Sequence, residues 1–305
     1  LAEGLGALAL TLARVEQLKS WAEAIWFGVF HSVSAFCNAG FALQTDSLMP
    51  FRDDPSVLIP ISILIVLGGL GFVPLSVLAS RFLRHRRVIN LHTQVALLGT
   101  GIALVGGAVL FWALQLGGSD ATTSPADALF WSVTLRTAGF NNLPMESLSS
   151  ASILLSMALM WVGGCPGGTS GGVKVTTVAL LFLAVRGLLR DEYDIQVFSR
   201  TVPRRTVIRA LVVVVLSVGF VFLGFLLLLA TQTHLSFEAL GFEAVSAFAT
   251  VGLSLGATTQ LDTLGMWIII SLMFIGRVGP LALAYGIGQS KKLQWKGATE
   301  EIHVG

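Results

Sequence analysis

SAFCNAGF at residues 34–41 is the most informative stretch of this sequence, because two altered copies of it follow later in the chain. TLRTAGF occupies residues 134–140 and SAFATVGL residues 246–253, and each copy ends in small residues, a glycine, and Phe or Leu. Each copy also lies between long apolar runs. This order is typical of a pore built from internal repeats, since a backbone that turns its carbonyls toward an ion needs dihedrals that glycine adopts readily.

The composition indicates a membrane protein. Hydrophobic residues make up 54% of the 305 residues and charged residues only 12%, whereas soluble chains carry about 25% charged residues. Uncharged stretches cover residues 55–80, 147–173 and 210–233, and residues 93–119 follow the same pattern. Each exceeds the roughly 20 residues that cross a bilayer core. We therefore predict an all-α, polytopic membrane protein.

The apolar pattern also predicts individual helices. Three stretches are too short to cross a bilayer and are predicted as re-entrant pore helices: 21–36, 125–135 and 237–249. Four longer stretches are predicted as spans: 57–79, 92–116, 209–230 and 264–288. The first of them is expected to be kinkable, because it contains Pro60, Pro74, Gly68, Gly69 and Gly71. Residues 1–13 are typical of the end of a span, so the chain is expected to begin partway through one. Three units of span, pore helix and span follow from this order: residues 1–85, 86–200 and 201–305.

Three glycine loops in equivalent positions favour one shared aqueous pathway, because non-helical backbone at membrane depth is tolerated only inside protein or around water. The three short helices would aim their C-terminal ends, which carry partial negative charge, toward that pathway. A cation suits this arrangement. Surface turns after amphipathic helices are the alternative interpretation, and it does not account for the threefold recurrence.

Basic residues are concentrated in three clusters. The clusters are Arg81, Arg84, Arg86 and Arg87; Arg186, Arg190, Arg200, Arg204, Arg205 and Arg209; and Lys291, Lys292 and Lys296. The positive-inside rule places such segments in the cytoplasm and the glycine loops on the outer side. A nucleic-acid partner is not expected, since the clusters flank spans and are diluted by nearby acidic residues. Docking of an acidic or nucleotide-gated regulator and ordinary membrane anchoring both remain open.

The sequence offers no signal of an enzyme or a resident metal site. Cys37 and Cys165 are far apart, the histidines are scattered, and no HExxH, nucleophile elbow or pair of catalytic carboxylates occurs. We therefore expect no catalytic residues and no cofactor on this chain.

GGCPGGTSGG at residues 163–172 interrupts an apolar run. A nucleotide-binding P-loop is excluded, because Lys174 is followed by Val175 rather than Ser or Thr and no strand is predicted before it. Six glycines and a proline in ten residues cannot remain helical at mid-membrane. The segment could therefore be a functional intramembrane loop or a hinge and close-packing motif.

Three charged residues in apolar surroundings are singled out. Arg277 is expected near the centre of the last span, where a cation costs about 3 kcal/mol and should face a cavity or a partner. An interhelical hydrogen bond is its alternative role. Glu243, inside the last pore helix, is expected to support the adjacent loop by hydrogen bonding. Arg136 is expected to pair with such a carboxylate.

The loop motifs, together with GGCPGGTSGGVK and GRVGP, resemble the Trk/Ktr/HKT superfamily of potassium transporters, most closely its Ktr membrane subunit. The resemblance covers essentially the whole chain. It implies four repeats of span, pore helix and span around one pore, each giving one filter glycine. This sequence matches the second to fourth loops, so the first repeat is expected to be absent. Because the residue of that first loop helps to separate potassium from sodium in the superfamily, ion selectivity stays open.

The resemblance also implies the site residues. Potassium would bind to backbone carbonyls of a filter formed by Asn38, Ala39, Gly40, Thr137, Ala138, Gly139, Thr250, Val251 and Gly252. A gate would be formed by Gly163, Gly164, Gly167, Gly168, Thr169, Ser170, Gly171, Gly172, Lys174 and Arg277. In this interpretation Arg277 repels cations below the filter, so Arg277→Ala should raise cation flux.

By the same resemblance, the protein is expected to be a homodimer in the cytoplasmic membrane, bound to a ring of cytosolic nucleotide-binding regulatory subunits. The end of the chain, residues 300–305, resembles Ktr ends that lie at the dimer interface. K⁺ is the expected transported ion, with Na⁺ as the alternative in a sodium-selective relative. A secondary transporter of another small solute is the other alternative. It would require inverted repeats and polar ligands in its broken helices, and neither pattern is visible in the sequence.

Overall fold

The computed structural model describes residues 1–18, 20–84, 89–116, 123–190, 196–198 and 200–279. Within these ranges the chain is predominantly helical, as predicted. The helices are α1 (Ala2–Arg14), α2 (Trp21–Phe36), α3 (Pro55–Leu70), α4 (Phe72–Arg84), α5 (Leu91–Leu116), α6 (Pro125–Thr134), α7 (Ser150–Trp161), α8 (Val175–Leu188), α9 (Arg204–Thr231), α10 (Phe237–Ala249) and α11 (Thr263–Val278). The third basic cluster, the predicted dimer contact at 300–305, Arg86 and Arg87 lie outside the described residues.

Two short ladders complete the described secondary structure, apart from three single 3₁₀ turns. Strand β1 (Val162–Gly163) pairs in parallel with β2 (Val173–Lys174). Strand β3 (Gln196–Val197) pairs in antiparallel fashion with β4 (Arg200–Thr201). The first ladder closes the base of the glycine-rich segment, and the second joins the α8 region to α9.

The short helices α2, α6 and α10 lie where the sequence predicts re-entrant helices. Each begins after a serine whose hydroxyl accepts a hydrogen bond from a backbone N–H of the first turn: Ser20 from Glu23, Ser124 from Asp127, and Ser236 from Ala239. Such caps satisfy N–H groups that have no partner inside the helix. They explain why each helix starts at the residue where the apolar pattern starts.

The short helices are packed among the longer ones. Helix α2 packs on α1 and α3, α6 on α5, and α10 on α7, α9 and α11. Trp131 of α6 and Phe242 of α10 are fully buried and belong to one hydrophobic cluster. The Trp131 indole N–H also donates to the Ser156 hydroxyl at 3.0 Å. This packing fixes the positions from which the three glycine loops begin.

The kinkable span predicted over 57–79 is sharply bent, and two helices occupy it. Helix α3 ends at Leu70, α4 begins at Phe72, and their axes differ by 104°. Gly71 forms the corner with φ 77°, and a Cβ atom there would lie 2.7 Å from backbone atoms of Gly167 and Gly168. The bend therefore makes room for the glycine-rich segment, a long-range contact that the local sequence does not encode.

Two of the described helices, α5 with 26 residues and α9 with 28, are long and apolar enough to cross a membrane. The bent pair α3–α4 also qualifies if it is counted as one span. Exposed side chains such as Ile102 on α5 and Phe222 on α9 form the kind of apolar surface that marks a membrane contact. Helix α11 ends at Val278, before Gly279, whose φ is 90°. Residues 280–288 of the predicted span 264–288 lie outside the described residues.

Candidate functional site

The loops after α2, α6 and α10 share one backbone shape. In each, a non-glycine residue with positive φ lies two positions before a glycine with positive φ. The pairs are Asn38 (50°) and Gly40 (71°), Thr137 (71°) and Gly139 (80°), and Thr250 (54°) and Gly252 (91°). Positive φ is uncommon outside glycine, and for a β-branched residue such as Thr it is an outlier. Strain of this kind persists only where the surroundings enforce it, and it concentrates at functional sites.

The last turn of each short helix enforces this shape. A backbone N–H inside each loop donates to a carbonyl of its helix at 2.9 Å: Ala39 to Ser34, Ala138 to Thr134, and Val251 to Ser246. The hydroxyls of Ser34 and Thr134 then donate to carbonyls beyond the glycine, at Phe41 (2.8 Å) and Phe140 (2.7 Å). In the first two loops the helix therefore holds residues on both sides of the glycine.

The three loops meet one another. A Cβ atom on Gly40 would lie 2.5 Å from the carbonyl oxygen of Ala138, and one on Gly139 would overlap the carbonyl oxygen of Val251. A Cβ atom on Gly252 would meet no described atom within 4 Å. The first loop thus contacts the second, and the second contacts the third. The structure brings the three predicted filter segments together, and close approach requires glycine at the first two contacts.

The glycine-rich segment 163–172 lies between α7 and α8 and packs against the α3–α4 corner. The Cys165 N–H donates to the Gly69 carbonyl at 2.8 Å, and the Thr169 N–H donates to the Gly68 carbonyl at 3.1 Å. A Cβ atom on Gly168 would lie 2.7 Å from the Gly69 carbonyl oxygen. These glycines therefore serve close packing, while movement of the segment stays a prediction.

The same segment contacts each of the three loops at its non-glycine residue with positive φ. The Asn38 amide and the Ser170 hydroxyl are hydrogen bonded at 2.8 Å, and the Gly171 N–H donates to Thr137 Oγ1 at 3.0 Å. A Cβ atom on Gly171 would overlap Thr250 Oγ1. Sequence reasoning missed these contacts. One sequence signal could have indicated them: a polar residue precedes each filter-loop glycine by two positions.

Two cations border a cavity of about 540 Å³ beside this segment. Lys174 Nζ donates to the Ser170 carbonyl at 2.5 Å, and Arg277 Nη1 donates to the Thr169 carbonyl at 2.8 Å. Neither forms an ion pair with an acidic residue in the described part of the chain. The cavity wall next to the glycine-rich segment is therefore electropositive.

Arg277 is predicted near the centre of the last span, whose residues 280–288 lie outside the described part of the chain. It occupies the last turn of α11, two residues before Gly279. A cation at a helix C-terminus is stabilised by the partial negative charge of the terminal carbonyls. The prediction that Arg277 contacts the glycine-rich segment is confirmed by its bond to Thr169.

The prediction that Arg136 pairs with a carboxylate is wrong, because no carboxylate pairs with it among the described residues. Its side chain is buried, and Nη2 donates to the carbonyl of Gly163 at 2.8 Å. A backbone carbonyl at the start of the glycine-rich segment thus takes the place of the expected carboxylate. This bond links the second loop to that segment.

Two carboxylates accept hydrogen bonds from residues that lie near the loops and outside the glycine-rich segment. Glu243 accepts hydrogen bonds from the hydroxyls of Ser254 at 2.6 Å and Thr258 at 2.5 Å, which gives it the predicted supporting geometry. Asp127, which the sequence did not single out, accepts from Arg52 Nη2 at 2.8 Å and from the Asn142 amide at 3.1 Å. The hydrogen bond from Arg52 to Asp127 is the main reason why the pKa of Arg52, outside the spans, is raised.

A profile of the family described as TrkH, cation transport protein, matches residues 5–291. The chain belongs to this family. It is 37% identical over 293 residues to the potassium/sodium uptake protein NtpJ of Enterococcus hirae, covering 93% of this chain and 64% of the relative. It is also 37% identical over 290 residues to the Ktr system potassium uptake protein B of Vibrio alginolyticus, covering 93% and 63%. The chain thus spans less than two thirds of the length of both relatives.

The TrkH fold is also found among solved structures. The crystal structure of the potassium transporter TrkH from Vibrio parahaemolyticus superposes with a TM-score of 0.74 at 20% identity, covering 93% of this chain and 62% of that one. The resemblance drawn from the loop motifs is therefore confirmed. The relatives are named as transport or uptake proteins, in line with the expectation that the chain is not an enzyme.

Proposed function

We propose that this chain carries the ion-conducting part of a potassium transporter in the TrkH family. The filter would be formed by backbone carbonyls of residues 38–40, 137–139 and 250–252. One observation supports this above all others: three loops with the same strained backbone meet in one place. The names of the relatives, which include potassium uptake proteins, support the choice of ion.

The physical basis is the exchange of hydration for carbonyl oxygens. A potassium ion loses its water shell at low cost when carbonyl oxygens replace it, and several weak sites in a row let it leave again. Alternation of positive and negative φ along each loop would turn successive carbonyls toward the same side. The C-termini of α2, α6 and α10 would add partial negative charge directed at the loops.

The glycine-rich segment would be the gate of this pathway. It contacts all three loops, and the cavity beside it is bordered by Lys174 and Arg277. Two fixed positive charges oppose the passage of a cation through a low-dielectric space. The bonds from Lys174 and Arg277 end on backbone carbonyls of the segment, so breaking them would leave no carboxylate unpaired. Opening would move the segment and Arg277 away from the path.

The proposal also covers the transported ion and the assembly of the protein. The Enterococcus relative is named for both potassium and sodium, which keeps a contribution of sodium within the proposal. The Ktr relatives are named as parts of a system, which supports a separate cytosolic regulatory partner. We further propose a homodimer in the cytoplasmic membrane, with the three glycine loops on the outer side and the basic segments in the cytoplasm.

Potassium and sodium fluxes, measured separately in liposomes that contain the complete protein, test the filter. Gly252→Ser should abolish potassium preference, because a side chain at φ 91° distorts the third loop. Gly256→Ser is the matched control, since Gly256 has φ 86° and equally open surroundings but lies beyond the loop. Equal effects of both substitutions on a folded protein, or none from Gly252→Ser, would contradict the filter.

A further inference from the structure

A second cavity, of about 500 Å³, lies between α5, α8, α9 and the β3–β4 hairpin. Its walls are mainly apolar and include Val95 of α5, Leu180 and Leu183 of α8, and Val213 of α9. Its lining includes residues from the first turns of α5 and α9, which are the cytoplasmic ends of these helices in the proposed orientation. An apolar cavity at this depth is in reach of lipid acyl chains.

The same cavity has a polar, cationic end. His92, Thr206 and Arg209 line it together with the apolar residues. The Arg209 side chain is exposed, and no hydrogen bond or ion pair joins it to a described residue. The positive charge at this end of the cavity is therefore available to an anion.

Neighbouring charges strengthen this preference for an anion. Arg204 and Arg205 occupy the first turn of α9, where Pro203 supplies no capping side chain and no acidic residue is present. Cations are unfavourable at a helix N-terminus because its partial charge is also positive. An anion bound near Arg209 would relieve this repulsion.

We propose that this cavity binds an anionic phospholipid, with its phosphate at Arg209 and an acyl chain along Val95, Leu180 and Leu183. Basic pockets between membrane helices on the cytoplasmic side are suited to such head groups. The apolar walls favour a lipid over a free phosphate or an acidic peptide, because neither of those would use them. The binding itself does not depend on the proposed transport activity.

The position of the cavity gives the lipid a route to the gate. Val213 lines both this cavity and the cavity that Lys174 and Arg277 border. Helix α8, which supplies Leu180 and Leu183, begins at Val175, directly after Lys174. A lipid between α8 and α9 would therefore hold the helix that follows the glycine-rich segment, and flux should depend on anionic lipid if the proposed function is also correct.

Native mass spectrometry of the complete protein, delipidated and then titrated with phosphatidylglycerol or phosphatidylcholine, tests the binding. The wild type should retain phosphatidylglycerol preferentially, and Arg209→Gln should weaken its retention about fivefold, the effect of one basic residue near an anionic head group. Arg190→Gln is the matched control, because Arg190 is an exposed member of the same basic cluster that does not line the cavity. Arg209→Lys keeps the charge and should retain the lipid.

Three results would overturn the proposal. The first is equal retention by the Arg209→Gln and Arg190→Gln proteins, and the second is no preference for phosphatidylglycerol in the wild type. The third is full displacement of the lipid by inorganic phosphate or a polyglutamate peptide, which would assign the site to a soluble anion or an acidic partner. Thermal unfolding of each variant separates lost binding from lost folding. Because the readout is binding, a failure of transport alone leaves this test unchanged.

Discussion

Next to the three glycine loops, two carboxylates accept hydrogen bonds from other side chains, whereas at the glycine-rich segment two cations donate to backbone carbonyls. The carboxylate side is formed by Asp127 and Glu243 with their partners. The cationic side is formed by the glycine-rich segment 163–172 with Lys174 and Arg277. Both environments adjoin the loops, since Glu243 is bonded to Ser254 directly after the third loop and Ser170 is bonded to Asn38 of the first loop.

From this difference we infer that the carboxylate side supports the loops, whereas the cationic side belongs to the proposed gate. A buried carboxylate that loses its partners is costly, so the carboxylate side should stay closed during function. A cation that leaves a backbone carbonyl for a water-filled cavity loses little, so the cationic side can rearrange. In the proposed function, the carboxylates therefore keep the loops in place, while the glycine-rich segment can move away from them.

The loops themselves should give the largest effect. Gly139→Ala would force a Cβ atom onto the Val251 carbonyl oxygen at φ 80°, and the backbone strain alone costs about 1–3 kcal/mol. We expect loss of potassium flux and a lower unfolding temperature. Gly106→Ala in α5, where the added Cβ meets no atom within 4 Å, should retain flux. Equal flux in the two variants would mean that the loops do not meet as described.

The carboxylate side should give the next largest effect. Asp127→Asn removes the charge that Arg52 and Asn142 face, and hydrogen bonds to charged groups contribute about 1.5–3 kcal/mol. The unfolding free energy should fall by that amount while the potassium preference of the remaining folded protein changes little. Asp46→Asn is the control, since Asp46 is exposed and forms no described side-chain bond. A destabilisation no larger than that of Asp46→Asn would show that Asp127 does not stabilise the region around the loops.

The short helices were predictable because their signals are local. A serine cap and an apolar run define α2 and α10, and these helices occupy the predicted residues Trp21–Phe36 and Phe237–Ala249. A kink within 57–79 was expected from its glycines and prolines, but the contact that fixes the corner at Gly71 was not predictable, and neither was the Arg52–Asp127 pair. Each depends on a segment distant in the chain. A carboxylate partner was predicted for Arg136 because a sequence shows which residues are charged. It does not show which backbone carbonyl will lie within reach, and Arg136 bonds to that of Gly163.

On the cationic side, Arg277→Ala should raise potassium flux several-fold, because it removes one of two positive charges beside the pathway and the bond to Thr169. Stability should change little, since Arg277 is exposed. Arg186→Ala, which removes an exposed Arg of α8 outside that cavity, should leave flux unchanged. Reduced flux in a folded Arg277→Ala protein would exclude the barrier role.

The smallest effect should come from Ser170→Ala. This substitution removes the hydroxyl that bonds to Asn38, at a cost of about 1 kcal/mol, and should raise flux modestly by loosening the segment from the first loop. Ser271→Ala, which removes an exposed hydroxyl of α11 that donates to the Trp267 carbonyl, provides the comparison. A flux change as large in Ser271→Ala would show that the Ser170 contact has no special role.

In the proposed function, the space between the three loops binds a monovalent cation. Anomalous diffraction from crystals of the complete protein grown with Rb⁺ tests it most directly. We expect Rb⁺ peaks surrounded by carbonyl oxygens of residues 38–40, 137–139 and 250–252, and loss of those peaks in Gly139→Ala. Well-ordered loops without Rb⁺ between them, with the ion bound elsewhere, would contradict it.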